Sequence, residues 1–188
     1  MGEREVSRLL GEMEKVRQTV GFKGDLKAFF EHVRTRKELM PFTEPRQVID
    51  HFHTIELKMQ PSLTRLFSLS PKTPLEIRRT EAFREASASA EWTYGSLDGT
   101  RPGIFYIPIP NVKEYNLFRD ESLFLHEAIP GHHYQFSLQR ENKGLPMFRR
   151  MLDYSAFGEG WALYCESLGK ELDLYDDPYQ YFGMLSGE

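Results

Sequence analysis

Cysteine is almost missing from this chain: Cys165 is the single one in 188 residues. No internal disulfide framework can hold the fold, and with no His or basic neighbour in view to lower its pKa, Cys165 reads as core packing and not as a nucleophile. Long apolar runs are missing too, since none approaches the roughly 18 residues of a membrane-crossing helix. No signal-like segment opens the chain, and there are no repeats or low-complexity tracts. Neither sign of charge dominates. With 24 basic and 28 acidic residues interspersed and a net charge of -4, there is no electrostatic footprint for nucleic acid or an anionic membrane. What remains is ordinary globular composition, 40% hydrophobic and 28% charged, at a length that fits one domain over 1–188 with a fair core.

The chemistry concentrates in His126-Glu127-Ala128-Ile129-Pro130-Gly131-His132-His133-Tyr134-Gln135, followed by Glu159-Gly160-Trp161-Ala162-Leu163-Tyr164-Cys165-Glu166. A helical His-Glu-x-x-His puts two imidazoles about one turn apart on one face, where both reach one metal. Here the second His comes late. In an unbroken helix His132 would lie roughly 120° off the face of His126, and His133 would lie about 10 Å further along the axis, too far for two metal bonds of about 2 Å. Pro130-Gly131 therefore has to bulge or break the helix. If the distortion absorbs two residues, His132 takes the second ligand place; if it absorbs three, His133 does. Glu127 would be the general base that takes a proton from the metal-activated water.

A zinc site needs a third protein ligand and an open position, and a carboxylate suits two imidazoles. Glu159 is the candidate. It precedes Glu166 by seven residues, so a helix over 157–170 puts both on one face. One would bind the metal, and the other would orient a ligand imidazole or position substrate. A lone His-Glu pair is usually an ordinary surface pair, and Pro130-Gly131 could be a plain helix stop, but that leaves the Glu pair unexplained.

These two stretches resemble the signatures H-E-A-x-P-G-H-x-x-Q and E-G-W-A-L-Y-x-E of a bacterial gluzincin-like family of uncharacterised proteins, over most of the chain. The last third is similar, more distantly, to the thermostable carboxypeptidase and oligoendopeptidase families, from whose H-E-x-G-H pattern this chain departs by two inserted residues. The resemblance implies that Glu159, the first of the Glu pair, binds metal. It also implies that the chain is a fragment of a longer, mostly helical protein, exported in some members.

Elsewhere, helical spacing runs from Arg4 to Val20 through Val6, Leu9, Leu10, Met13 and Val16. A second helix starts at Asp25, and a third follows Thr43 with Pro45 in its first turn and closes before Pro61. His51 and His53, two apart, face different ways and suit no shared metal. Ser68 to Pro74 reads as a loop, and Glu76 to Glu91 as a helix or an extended arm. Ile104 to Pro110 is the convincing strand, and its two prolines predict an edge strand near 103–109 that could take an extended peptide. Arg101, in the turn before it, could meet a substrate carboxylate. Asp120-Glu121-Ser122 starts the metal-bearing helix.

The expectation is thus a mostly α, gluzincin-like metallopeptidase domain with a small β element and an active-site core over 103–170. His126, His132 and Glu159 would hold Zn2+, Glu127 would be catalytic, Glu166 would support them, and His133 is the alternative ligand. The partner expected is a peptide substrate, with neither nucleic acid nor membrane. Two other readings stand beside it: a catalytically silent or metal-free binding domain, and a zinc amidase or esterase acting on something other than peptide.

Overall fold

The apolar spacing of the N-terminal half produces three helices in the computed structural model, which describes residues 2–188. Helix α1 (Gly2–Thr19) buries Met13 and Val16, while Val6 and Leu10 on the same stripe stay exposed. Helix α2 (Leu26–Thr35) starts where the Asp25 carboxylate accepts the Ala28 N–H at 2.8 Å, and it buries Phe29 and Val33. Helix α3 (Pro45–Leu66) begins after Glu44, with the Gln47 side chain accepting the Thr43 and Glu44 N–H groups. It does not close before Pro61 as the sequence predicts. Pro61 and Leu57, whose carbonyl loses its partner, both lie on the exposed face, so the missing donor leaves no buried group unsatisfied. His51 packs at the edge of the core near Asp120, and His53 is exposed beside Glu56.

A three-stranded sheet follows. Strand β1 (Leu75–Arg79) pairs in parallel with β3 (Gly103–Ile107), and β2 (Glu91–Thr93) pairs antiparallel with the other side of β3. The expected edge strand is therefore the centre of the sheet. Pro108 and Pro110 lie past Ile107, the last paired residue, so every N–H in the paired stretch is free to donate. Beyond them the Ile109 N–H donates to the buried Glu85 carboxylate at 2.8 Å, which Arg79 also grips in bidentate fashion. The stretch from Glu76 to Glu91 is neither a helix nor a single arm: it opens in β1, turns, and ends at the start of β2.

The remaining helices are α4 (Asp120–Glu127), α5 (His132–Glu141), α6 (Met147–Met151), α7 (Ser155–Ser167) and α8 (Pro178–Gly187). The molecule is mostly helical with this one small sheet. Phe105 of β3 packs edge-on against Phe52 of α3, with centroids 5.2 Å apart, and Phe124 of α4 adjoins both. One continuous apolar core joins these rings to Phe29 and Phe182. It fixes α4 against the sheet, and α7 packs directly on α4 and α5, the three helices that carry the site. No helix among the described residues is long and apolar enough to cross a membrane.

Candidate metal centre

The helix carrying His126 ends at Glu127, one residue after that imidazole. The Ala128 N–H still donates to Phe124 O at 2.9 Å, but Ala128 then turns away with ψ -100°, and α5 begins at His132. The distortion at Pro130-Gly131 is thus a full break between two helices. Its geometry depends on Gly131, where an added Cβ would lie 1.9 Å from the His126 carbonyl oxygen and 2.3 Å from that of Leu125. The break is also held from α7, because the Trp161 indole N–H donates to the Pro130 carbonyl at 2.8 Å. Gln135 ties it from α5 by donating to Phe157 O at 3.1 Å.

The break brings His126 and His132 ring to ring, with centroids 4.8 Å apart and planes at 87°. Glu159 reaches both: Oε2 is 3.3 Å from His126 Nε2 and Oε1 is 3.6 Å from His132 Nε2. One ligand-type atom from each of the three residues lies within 4.8 Å of the others. Zinc bonds of about 2.1 Å in a tetrahedron put neighbouring ligand atoms about 3.4 Å apart, so this N, N, O donor set fits a divalent cation. Glu166, two turns further along α7, meets the other side of the first imidazole at 2.8 Å from Nδ1. The Glu166 carboxylate can only accept, so Nδ1 carries a proton in that contact, and Nε2 faces Glu159.

The electrostatics follow from burial and neighbouring charge. Burial pulls the His126 pKa down, but the Glu166 hydrogen bond and the charges of Glu127, Glu166 and Glu159 outweigh it, so the net shift is upward. His132 is shifted down by burial and by His126, and its Nδ1 is buried without a partner. Burial pushes the Glu127 carboxyl up to about 7, against the pull of His126 and of the Trp92 backbone amide.

His133 has a different place. It is buried, it accepts the Trp92 indole N–H on Nδ1 at 3.2 Å, and it donates from Nε2 to Thr73 O at 3.1 Å. Burial holds its pKa down at about 4. Both nitrogens of this neutral ring are engaged in fastening α5 to β2 and to the loop before β1, and the ring is outside the three-residue cluster. Arg101 stays exposed in its turn, and Cys165 is buried with its thiol pushed up to about 12 by burial. Tyr134 is buried, whereas Tyr154 and Tyr164 are exposed.

Above the cluster is a cavity of about 300 Å³, lined by His126, Glu127, His132 and Glu159 and walled by Trp92 and Asp153 among others. Tyr94, on the same wall, donates to Asp153 Oδ2 at 2.9 Å, and the Arg140 guanidinium lies 3.6 Å over its ring. Sequence reasoning missed Trp92, Tyr94 and Asp153. They come from a short strand, the turn after it and an isolated acid, and no local spacing links any of them to His126.

The family described as "Bacterial protein of unknown function (DUF885)" matches residues 1–188. No curated protein matches the chain. Among solved structures it is similar to "the putative lipoprotein from Colwellia psychrerythraea", with 27% identity and a TM-score of 0.92 over 100% of this chain. The chain spans 33% of the length of that protein.

Proposed function

The chain belongs to the DUF885 family of bacterial proteins, and from that premise we propose that it is the metal-binding part of a gluzincin-like zinc hydrolase, a metallopeptidase, with its active-site core over 103–170. The observation that carries the reading is that one imidazole is met on both nitrogens by carboxylates from one helix, Glu166 at Nδ1 and Glu159 at Nε2, with His132 alongside. A purely structural His needs one such partner. Two, with a second imidazole converging on the same carboxylate, is the way ligands and their orienting groups are arranged.

In this reading His126, His132 and Glu159 hold zinc, which when bound lowers the pKa of water and polarises a substrate carbonyl. Glu127, half-buried in the cavity wall, accepts a proton from the attacking water on its carboxylate and returns it to the leaving amine. Glu166 keeps His126 in the Nδ1–H tautomer. Strand β2 is an edge of the sheet, and its Glu91 and Trp92 line the cavity, so an extended peptide can lie along it with its carbonyl over the centre. The lipoprotein description of the Colwellia protein supports export of longer members as part of the same reading; finding the native protein only in the cytosolic fraction would remove it.

One observation favours a second reading, a binding domain without catalysis. Among the described residues no Lys or Arg lines the cavity, and the Tyr94 hydroxyl is already donated to Asp153, so this stretch of chain offers the cavity no cationic side chain or free tyrosine hydroxyl for a developing oxyanion. Elemental analysis of the purified protein together with digestion of a peptide library separates the two. Stoichiometric zinc with cleavage that Glu127→Gln removes supports the hydrolase. Zinc without cleavage supports the binding domain, and absence of metal sinks both metal-bound versions.

A further inference from the structure

Tyr175 is a buried aromatic residue with φ +64°, the left-handed region that bulky side chains rarely occupy. Such backbone persists only where its surroundings over-determine it. Three contacts do so here. Glu121, buried in the first turn of α4, accepts the Tyr175 backbone N–H on Oε2 at 2.6 Å, and is itself held by Lys58, 3.6 Å from Oε1. The ring lies against Gly169, where an added Cβ would come within 2.0 Å of Cε2. The hydroxyl donates at 2.8 Å to the backbone carbonyl of Glu166, in the last turn of α7.

Glu121 belongs to the helix that carries His126, and Glu166 is the residue whose carboxylate meets His126 Nδ1. The contacts therefore close a circuit: α4 through Glu121 to Tyr175, Tyr175 to Glu166, and Glu166 back to α4 at His126. We infer that Tyr175 is a positioning residue for the candidate metal centre, setting α7 along its axis against α4. The inference rests on the hydrolase reading in assigning the centre to a metal. Axial register matters because Glu159 and Glu166 sit about 10 Å apart along one helix and must both reach a single ring. A slip by one residue, about 1.5 Å, breaks the 2.8 Å contact at Nδ1 and withdraws Glu159 from Nε2. The alternative is that the hydroxyl merely caps a helix end. The Gly169 N–H also reaches the Glu166 carbonyl, at 3.4 Å, so a bare cap needs neither the strained backbone nor the link to Glu121.

The test compares wild type with Tyr175→Phe, which deletes only the hydroxyl, and with Glu121→Ala, which releases the Tyr175 backbone while keeping the hydroxyl. Two readouts are taken: ¹⁵N NMR of the His126 ring in metal-free protein, and zinc affinity by competition with a chelator. In wild type the Nδ1 proton is hydrogen-bonded to Glu166. Both variants are expected to weaken that Nδ1–H hydrogen bond, seen as a shifted Nδ1 signal, and to bind zinc about 10-fold more weakly, the lower end of what an outer partner contributes. If Tyr175→Phe keeps the wild-type ring signals and zinc affinity, even with a lower melting temperature, Tyr175 is only a cap and the inference falls. Should Glu121→Ala fail to fold, Tyr175→Phe still decides. If wild type takes up no zinc, the metal-centre reading fails, while the Nδ1 signal in metal-free protein still decides the role of Tyr175.

Discussion

Replacing Gly131 by alanine is the most direct challenge to the helix break. The new methyl would have to occupy space 1.9 Å from the His126 carbonyl oxygen and 2.3 Å from that of Leu125. Both are backbone atoms at the end of α4 and cannot swing aside like a flexible side chain, so the break itself must open. Forced overpacking costs about 1–3 kcal/mol, and with no soft neighbour the upper end applies here, about 3 kcal/mol. In a domain of this size that lowers the melting temperature by about 6–12 °C. Opening the break also carries His132 away from Glu159, so zinc affinity should fall by more than the roughly 10–100-fold that loss of an outer partner costs. Gly160→Ala is the control. It lies inside α7 next to Glu159, an added Cβ there meets nothing within 4 Å, and the exchange should stabilise by about 0.5–1 kcal/mol with metal binding unchanged. Differential scanning calorimetry and chelator competition measure both effects. A Gly131→Ala protein that melts and binds zinc like wild type would refute the break described here.

The other expectations concern single roles. Glu127→Gln should abolish hydrolysis and leave metal content nearly intact, read by peptide cleavage and elemental analysis; lost metal or retained activity contradicts its assignment as base. His132→Ala should lose bound zinc, whereas His133→Ala should keep it and lose stability instead, since the His133 ring bonds Trp92 and Thr73; the reverse pattern in metal content would transfer the ligand role to His133. Trp161→Phe keeps an aromatic ring but deletes the indole N–H bond to Pro130 O together with part of the ring's packing, for about 1 kcal/mol or more, seen as a shifted urea midpoint. Asp120→Asn tests a buried acid. Burial raises the Asp120 pKa well above its usual value and lowers that of His51, so the proton sits on the carboxyl, which accepts the Tyr115 hydroxyl at 2.9 Å. The folded state then binds the extra proton, so wild type should lose stability relative to the Asn variant as pH rises above about 4. A difference that stays flat with pH would mean that Asp120 is ionised in the fold.

The helical part of the fold was readable from spacing because its signals are local. Asp25 caps where an Asp should, and Met13, Val16, Phe29, Val33, Val48, Phe52, Ile55 and Met59 are buried at the positions their periodicity assigns. The errors arose where a local rule met a non-local circumstance. Pro61 stays in a helix because its face is exposed. Pro108 and Pro110 do not make β3 an edge, because pairing with β1 stops at Ile107 and pairing with β2 at Tyr106. Asp120 and Glu121 start a helix as read, but their carboxylates are buried against Tyr115 and Tyr175 and do not face solvent. That contact spans 54 residues from Glu121 to Tyr175, and nothing in the local pattern announces it.

The site separates along the same line. Spacing alone demanded that Pro130-Gly131 distort the helix, and it put Glu159 and Glu166 on one face, since both arguments need only the geometry of a single helix. It left His132 and His133 open, because the number of residues a break absorbs depends on what packs against it. Here Trp161 and Gly131 set that number from opposite sides, one by holding the Pro130 carbonyl and the other by letting two backbone segments touch. His133, freed from the centre, then finds Trp92 and Thr73, residues 41 and 60 positions away. The Trp in Glu159-Gly160-Trp161 therefore has a physical task distinct from that of the Glu beside it. The acid reaches the imidazoles, and the indole keeps the chain bent so that there are two imidazoles to reach.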